Sequence, residues 1–434
     1  MRLSTANLYD ASIANLQRRQ NALQTQQEQL TSGKRVAQAS DDPTGAARAE
    51  RALATIGRVD ANQRALEASR NSMTLAESAM GDANELLQQA RETMVAAGNA
   101  SYSDAERKGL ANKLQGLRDQ LLAIANRSDG AGGYIFSGQG SANPPFLDQA
   151  GGVTYVGVSG QIQTGNVDNF QLTVDGRSAW EQSSSGNGSF ETAPSVIVAD
   201  PTTGAPSVQL IDPGATAANG GVPVPLVNAV TGKAASGWID SGRVTDPSAL
   251  TGHNYRLDVA GTAPGQTYTL TDQDLGSVVS SGAFKAGEAI VADGMALTVA
   301  GTPVDGDAFA VAGSKHSLKL FDALDKAITD LNTPLRSPVQ VQQGNAAAIR
   351  DLDAVMGNLQ SVRSQVGETL NNLDGTETRL AALKQYSTQE KSAAEDLDMV
   401  QGISDFQNQQ TGYDTALKTY AMVQKMSLFQ YITG

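Results

Sequence analysis

The chain has 434 residues, no cysteine and a formal net charge of −13. Without a thiol there is neither a disulfide framework nor a cysteine nucleophile, and an acidic chain with no clustered Lys/Arg stripe does not suit nucleic acid. Hydrophobic residues make up 40% and aromatics only 5%, which favours long helices over one large core, at a length that fits roughly two to four domains. No apolar run reaches the ~18 residues of a membrane span. Residues 1–10 lack the basic-then-apolar pattern of a cleaved secretory signal, leaving a cytoplasmic protein or one exported without cleavage.

From the N-terminus, Tyr9, Ile13, Leu16, Gln20, Leu23, Gln27 and Leu30 step by four and three. This is the narrow stripe of a coiled-coil seam. The stepping returns at the other end in Ile403, Phe406, Gln410, Tyr413, Leu417, Tyr420, Gln424, Ser427 and Tyr431. Two weakly apolar helices of matched pattern predict that the termini pair, with Tyr9, Ile13, Leu16, Leu23, Leu30, Ile403, Phe406, Tyr413, Leu417 and Tyr420 as an assembly interface and Met426, Leu428 and Phe429 continuing it. Residues 1–40 hold five basic and two acidic side chains; residues 391–434 hold three and five. Opposite charge guides their pairing more than it stabilises it.

Gly33 follows the first seam where a left-handed residue ends a helix, with Lys34 and Arg35 beside the last carbonyls. The next start reads Ser40-Asp41-Asp42-Pro43, with Asp42 as N-cap and Pro43 at the first helical position. Two adjacent carboxylates also read as a metal or acid–base pair, but sequential side chains rarely converge, and capping accounts for Pro43 as well.

Over residues 44–98, Val59, Leu66, Met73, Met80, Leu87 and Met94 recur every seven residues, each followed three positions later by Asn62, Ser69, Ala76, Ala83, Ala90 and Ala97. Large residues alternating with small ones predict a close helix–helix seam. At heptad spacing the methionines read as core rather than an adaptable ligand groove. A third helix is expected over 104–128 on Leu110, Leu114, Leu117, Leu121 and Ile124, antiparallel to the second. Asp129-Gly130-Ala131-Gly132-Gly133 resembles a phosphate loop, yet it follows a helix and precedes the strand-like Tyr134-Ile135-Phe136; the order is reversed, so it reads as a turn.

Short alternating runs with turn residues between them fill 137–313 and predict antiparallel β structure. Residues 193–235, with little to bury, read as a loop or dispensable extension. Helix resumes at 317, stops at Pro334, and runs from about residue 344 in one tract into the terminal seam. The fold class is mainly α with an inserted β region. Paired terminal coiled-coil helices (1–40 with 395–434) lead into an antiparallel helical stalk (41–136 with 314–394), which carries β domains at 137–192 and 236–313.

Leu30-Thr31-Ser32-Gly33-Lys34-Arg35 with Ser40-Asp41-Asp42-Pro43 resembles the N-terminal signature of bacterial flagellin and its hook-associated relatives. Gly116-Leu117-Arg118-Asp119-Gln120, Tyr134-Ile135-Phe136-Ser137-Gly138, Phe321-Asp322-Ala323-Leu324-Asp325 and Met426-Ser427-Leu428-Phe429-Gln430 resemble the hook-associated members, and residues 244–309 a β module of larger ones. The resemblance implies an extracellular structural subunit of the flagellum, exported unfolded through the type III apparatus on an uncleaved signal. It implies a homo-oligomeric ring joining hook to filament, with the first hook-associated protein, flagellin and a cytoplasmic export chaperone as partners, and with no cofactor and no membrane insertion. A flagellin-type filament subunit is the alternative; Pro43 and the Met426–Gln430 ending favour the junction. Some flagellins host a zinc peptidase, which needs His-Glu-x-x-His. Here the only histidines are His253 and His316, so no catalytic or metal residues are expected.

Overall fold

The structure, a computed structural model, describes residues 2–99, 101–140, 143–164, 169–199, 206–210 and 236–432; side chains of 2–9, 195–199, 206–210, 423 and 425–432 lie outside the description. The chain divides into two compact units, Met1–Leu66 with Asp374–Gly434, and Glu67–Leu373. The α-helices are α1 (Arg2–Ser32), α2 (Pro43–Ala97), α3 (Asp104–Ala125), α4 (Gly176–Trp180), α5 (Leu320–Asn332), α6 (Pro338–Glu395) and α7 (Met399–Ile432). The expected single tract into the C-terminus is thus broken. Asp398 breaks it, because its Oδ1 accepts from the N–H groups of Val400 (3.0 Å) and Gln401 (3.2 Å) and starts a new helix.

On α2 every heptad position, Val59, Leu66, Met73, Met80, Leu87 and Met94, is buried, as are the small residues Ser69, Ala76, Ala83, Ala90 and Ala97. Within the larger unit α6 runs antiparallel to α2. Arg363 Nε bonds Glu77 Oε1 at 2.9 Å, Arg91 Nε bonds Asp353 Oδ1 at 2.5 Å, and Gln342 reaches the Gly98 carbonyl. A capping box of Ser103 with Glu106 starts α3. It ends at Ala125 because Asn126 turns away, its amide bonding both backbone groups of Phe146.

Residues 137–189 form no separate β domain, which corrects the sequence reading of 137–192; residues 190–192 begin a strand of the second core. Their two-stranded pairs (Phe146–Gln149 with Gly152–Tyr155, and Gln163–Thr164 with Phe170–Gln171) and α4 pack on the helices. Phe136, Phe146, Tyr155, Val174 and Trp180 share one core with α2, α3, α5 and α6. Trp180 stacks on Phe321 at 6.1 Å and meets Phe136 edge-on at 5.3 Å. Ile135 and Phe136 form a buried turn rather than a strand, and the half-buried Tyr134 makes only an isolated bridge to Ser128. Residues 129–133 do form a turn, with Asp129 Oδ1 accepting from Ala131 and Gly133. Arg118, 5% exposed, donates to both oxygens of Asp148 (2.7 and 2.9 Å) and to Asp325 (2.5 Å), tying α3 to α5. Its bonds to Asp148, against the cost of burial, raise its pKa above the ordinary arginine range.

The second core is all β. A six-stranded antiparallel sheet runs in the order Ser277–Ala283, Thr267–Asp272, Tyr255–Ala260, Ala308–Gly313, Phe190–Ala199, Pro206–Leu210. A smaller four-stranded sheet of Ala289–Ala292, Met295–Gly301, Gly237–Ile239 and Arg243–Val244, the last two both paired with Met295–Gly301, shares that core through Leu257, Val259, Leu297, Val299 and Phe309. The reading of 193–235 as an extension is therefore overturned for 193–199 and 206–210: Ala193 pairs with Ala310, Pro194 with Phe309, and Ser195–Ala199 with Pro206–Leu210. The alternation there was diluted by Pro194 and Ala193, which hid a strand whose partner lies over a hundred residues away. Residues 200–205 and 211–235 lie outside the described residues.

Deleting 193–235 is accordingly expected to open the β sheet, read as lost β circular dichroism and rapid proteolysis between residues 236 and 313. The link between α5 and α6 gives a second test. Arg336 and Asp330, each 3% exposed, lie 3.5 Å apart, and Arg336 also donates to the Asp330 and Gln340 carbonyls. Arg336→Ala removes a buried cation together with its bonds to two backbone carbonyls and should cost ~3–5 kcal/mol in urea unfolding.

Candidate assembly interface

In the smaller unit α1 and α7 run antiparallel, but the seam is rotated from the expected one. The facing positions are Ser12, Leu16, Arg19, Leu23, Gln26 and Leu30 against Gly402, Phe406, Gln409, Tyr413, Ala416 and Tyr420. Leu16, Leu23, Leu30, Phe406, Tyr413 and Tyr420 are half-buried there, whereas Ile13 (37%), Ile403 (47%) and Leu417 (41%) stay exposed. Each replaced position differs by one residue, about 100° around the helix. The pair closes over its small residues: a Cβ at Gly402 would lie 2.9 Å from Leu397 Cδ2 and 3.2 Å from Leu30 Cδ2, and one at Gly412 would lie 2.5 Å from Arg19 Nη1. Close approach on the glycine side turns the larger apolar side chains outward. Among the described side chains of 10–32 none is buried, and on α7 only Gly402 is. Tyr9, Met426, Leu428 and Phe429 sit on helical backbone, their side chains outside the description.

Both ends of this pair are tied at one place. Gly33 is left-handed (φ 71°) and its carbonyl accepts from Leu397 N–H at 2.9 Å. Arg35 N–H donates to the Glu395 carbonyl (2.7 Å), Arg35 Nη2 to the Ala394 carbonyl (2.8 Å), and Lys34 Nζ lies 3.4 Å from Glu395 Oε1. Pro43 opens α2, and Asp42 Oδ1 accepts from the Thr44 and Gly45 N–H groups (3.1 and 2.9 Å) and the Thr44 hydroxyl. Asp42 Oδ2 takes Arg35 Nη1 at 3.1 Å. The Gly45 backbone bond, then Thr44 and Arg35, lower the Asp42 pKa to about 2. Asp41 Oδ2 accepts instead from the Ala37 and Gln38 N–H groups. The two carboxylates serve different backbone segments and do not converge on a common point.

Sequence reasoning passed over one cluster. His253, Asp272 and Asp274 offer ligand atoms within 4.8 Å of one another. Strand pairing, invisible locally, brings Asp272 to the loop that holds His253. His253 Nδ1 lies 2.7 Å from Asp272 Oδ2, which raises the His253 pKa, while Asp272 Oδ1 accepts from the Asp274 and Leu275 N–H groups. Both oxygens of Asp272 are thus engaged, and the geometry is that of an ion pair pinning a loop.

The cap predicts a pH signature. A depressed carboxylate pKa contributes stability that is complete above about pH 4 and is lost as pH falls through about 2. Asp42→Ala should lower the melting temperature of the full chain at neutral pH, whereas Asp42→Asn or Asp42→Ser should lower it much less. The gap between wild type and Asp42→Ala should close on acidification. Equal damage by Asn and Ala would exclude capping.

Comparison with known proteins places these helices in a family. The bacterial flagellin N-terminal helical region matches residues 3–141 and the C-terminal helical region residues 349–432. Flagellar hook-associated protein 3 of Escherichia coli is 34% identical over 218 residues, 48% of this chain and 63% of that protein. Its Salmonella typhimurium counterpart is 36% identical over 160 residues, 35% and 48% of the two chains. The chain thus spans less than two thirds of the length of either relative. The crystal structure of a flagellar junction protein from Legionella pneumophila shares the fold, with TM-score 0.64 over 80% of this chain and all of that one at 24% identity. Matched in order at both ends over just over half its length, the chain belongs to the bacterial flagellin family.

Proposed function

We propose that the chain is a structural, non-enzymatic subunit of the bacterial flagellum that assembles through its terminal helices into a ring joining hook to filament. The observation that carries this reading is the open apolar flank of the α1–α7 pair, where Ile13, Ile403 and Leu417 lie beside a seam that is itself only half-buried. Full burial of such a side chain contributes ~1.5–3 kcal/mol, and one chain obtains little of it. Ordering a residue costs ~1–2 kcal/mol in backbone freedom, so terminal helices with this little buried surface depend on neighbouring copies. A closed ring provides them, the same faces meeting in every subunit. The proposed partners are other copies of the chain, the first hook-associated protein, flagellin, and a chaperone that holds the C-terminal helix before export without signal cleavage.

Limited proteolysis of dilute protein should remove roughly residues 1–40 and 395–434, and assembly should protect them; protected termini in a verified monomer would sink the proposal. Ile403→Asp and Leu417→Asp should block assembly and leave the monomer's melting temperature unchanged. Cells lacking the protein should keep hooks and shed flagellin into the medium. Long filaments grown from the purified chain alone would instead mark a filament subunit.

A further inference from the structure

The larger unit carries a groove of about 830 Å³ between the exposed side of α6 and the loops leading into the β core. Its apolar surface comes from Ala346, Ile349 and Ala354 on the helix and from the half-buried Trp238 on the strand Gly237–Ile239. Volume and aromatic lining fall within the range of ligand sites.

The polar groups on its rim decide what it suits. Arg350 is occupied: it donates to Asp351 at 2.8 Å, to the Thr192 carbonyl at 3.2 Å and to Glu191 at 3.4 Å. Among the described residues no other arginine or lysine lines the groove; His316, on the same wall, has its Nδ1 3.0 Å from the Ser184 hydroxyl. Two of the three side-chain amides that could read sugar hydroxyls are also engaged, which leaves only the exposed Gln182. Asn187 bonds the Ser241 and Gly242 carbonyls and the Ser189 and Phe190 N–H groups, and the Asn358 amide donates to the Ser178 and Ala179 carbonyls. The charged groups that remain for a ligand are carboxylates. Asp240 stands two residues from Trp238, on the same side of an extended chain. Its Oδ1 accepts from the Gly242 and Thr298 N–H groups at 3.0 Å each, holding the carboxyl in place while the second oxygen stays available. Asp353 faces it from α6, its charge shared with Arg91.

We propose that this groove docks a basic segment of a protein partner, with one arginine side chain as anchor. An indole beside a fixed carboxylate suits a guanidinium, which is attracted to the ring face and pairs with the free oxygen. The small apolar residues of α6 suit the methylene stem below it. The net-acidic rim supplies the charge complementarity.

Trp238 also provides the test. Of the two tryptophans in the sequence, Trp180 is fully buried in the helical core, so a ligand-dependent change in emission reports Trp238. Titration of the full chain with a blocked Gly-Arg-Gly peptide should give a saturable change that weakens with salt. The matching citrulline peptide, equal in shape and uncharged, should bind about tenfold more weakly. Asp240→Asn, which keeps the oxygen that accepts both backbone bonds, should weaken the arginine peptide by a similar factor at an unchanged melting temperature. Trp238→Leu, followed by calorimetry, should weaken it while retaining apolar bulk. Equal binding of arginine and citrulline peptides, binding of maltose in their place, or indifference to Asp240→Asn would each overturn the proposal.

Discussion

An α-helix can bury only as much as its neighbours let it approach, and the alternation of large and small residues on α2 sets that limit here. Met73, Met80, Leu87 and Met94 fill the layers while Ala76, Ala83, Ala90 and Ala97 leave room between them. On that seam rest α6, held in antiparallel register by Glu77–Arg363 and Arg91–Asp353, and the aromatic cluster around Trp180. Replacing the alanines with larger residues would overfill every layer. Arg118 extends the same core outward, since a cation that deeply placed needs carboxylates from both Asp148 and Asp325 to offset lost hydration.

The terminal pair obeys the same rule with the opposite outcome. Its close contacts fall at Gly402 and Gly412, so the helices approach without enclosing much apolar surface. What fixes the pair is polar: the backbone bonds between Gly33, Arg35, Glu395 and Leu397, and the Asp42 carboxyl that caps α2 while holding Arg35. Such a clasp sets direction and register but supplies little burial. In the proposed ring that division is useful, because the free energy withheld from the monomer remains available to the contact between copies.

The β insertion stands on its own core, and its outer strands come from both sides of the undescribed residues 211–235. Where strand Gly237–Ile239 meets α6, Gln343 bonds both backbone groups of Ile239. That junction places Trp238 and Asp240 over the helix and forms the groove beside it.

Periodicity and capping are local properties, and the sequence by itself determined them: the α2 heptads, the stop at Gly33, the start at Asp42-Pro43, the turn at 129–133 and the central strands Tyr255–Ala260 and Met295–Gly301. Each depends on side chains within a few residues of one another. Tertiary structure decided the remainder. It recruited Phe190–Ala199 to a partner strand at Ala308–Gly313, gave Arg118 and His253 their carboxylates, and chose which side of the terminal stripe faces inward. A stripe of four-and-three spacing is nearly as well satisfied one residue over. Only the partner helix, approaching where Gly402 and Gly412 permit, settles that Ile13, Ile403 and Leu417 face out.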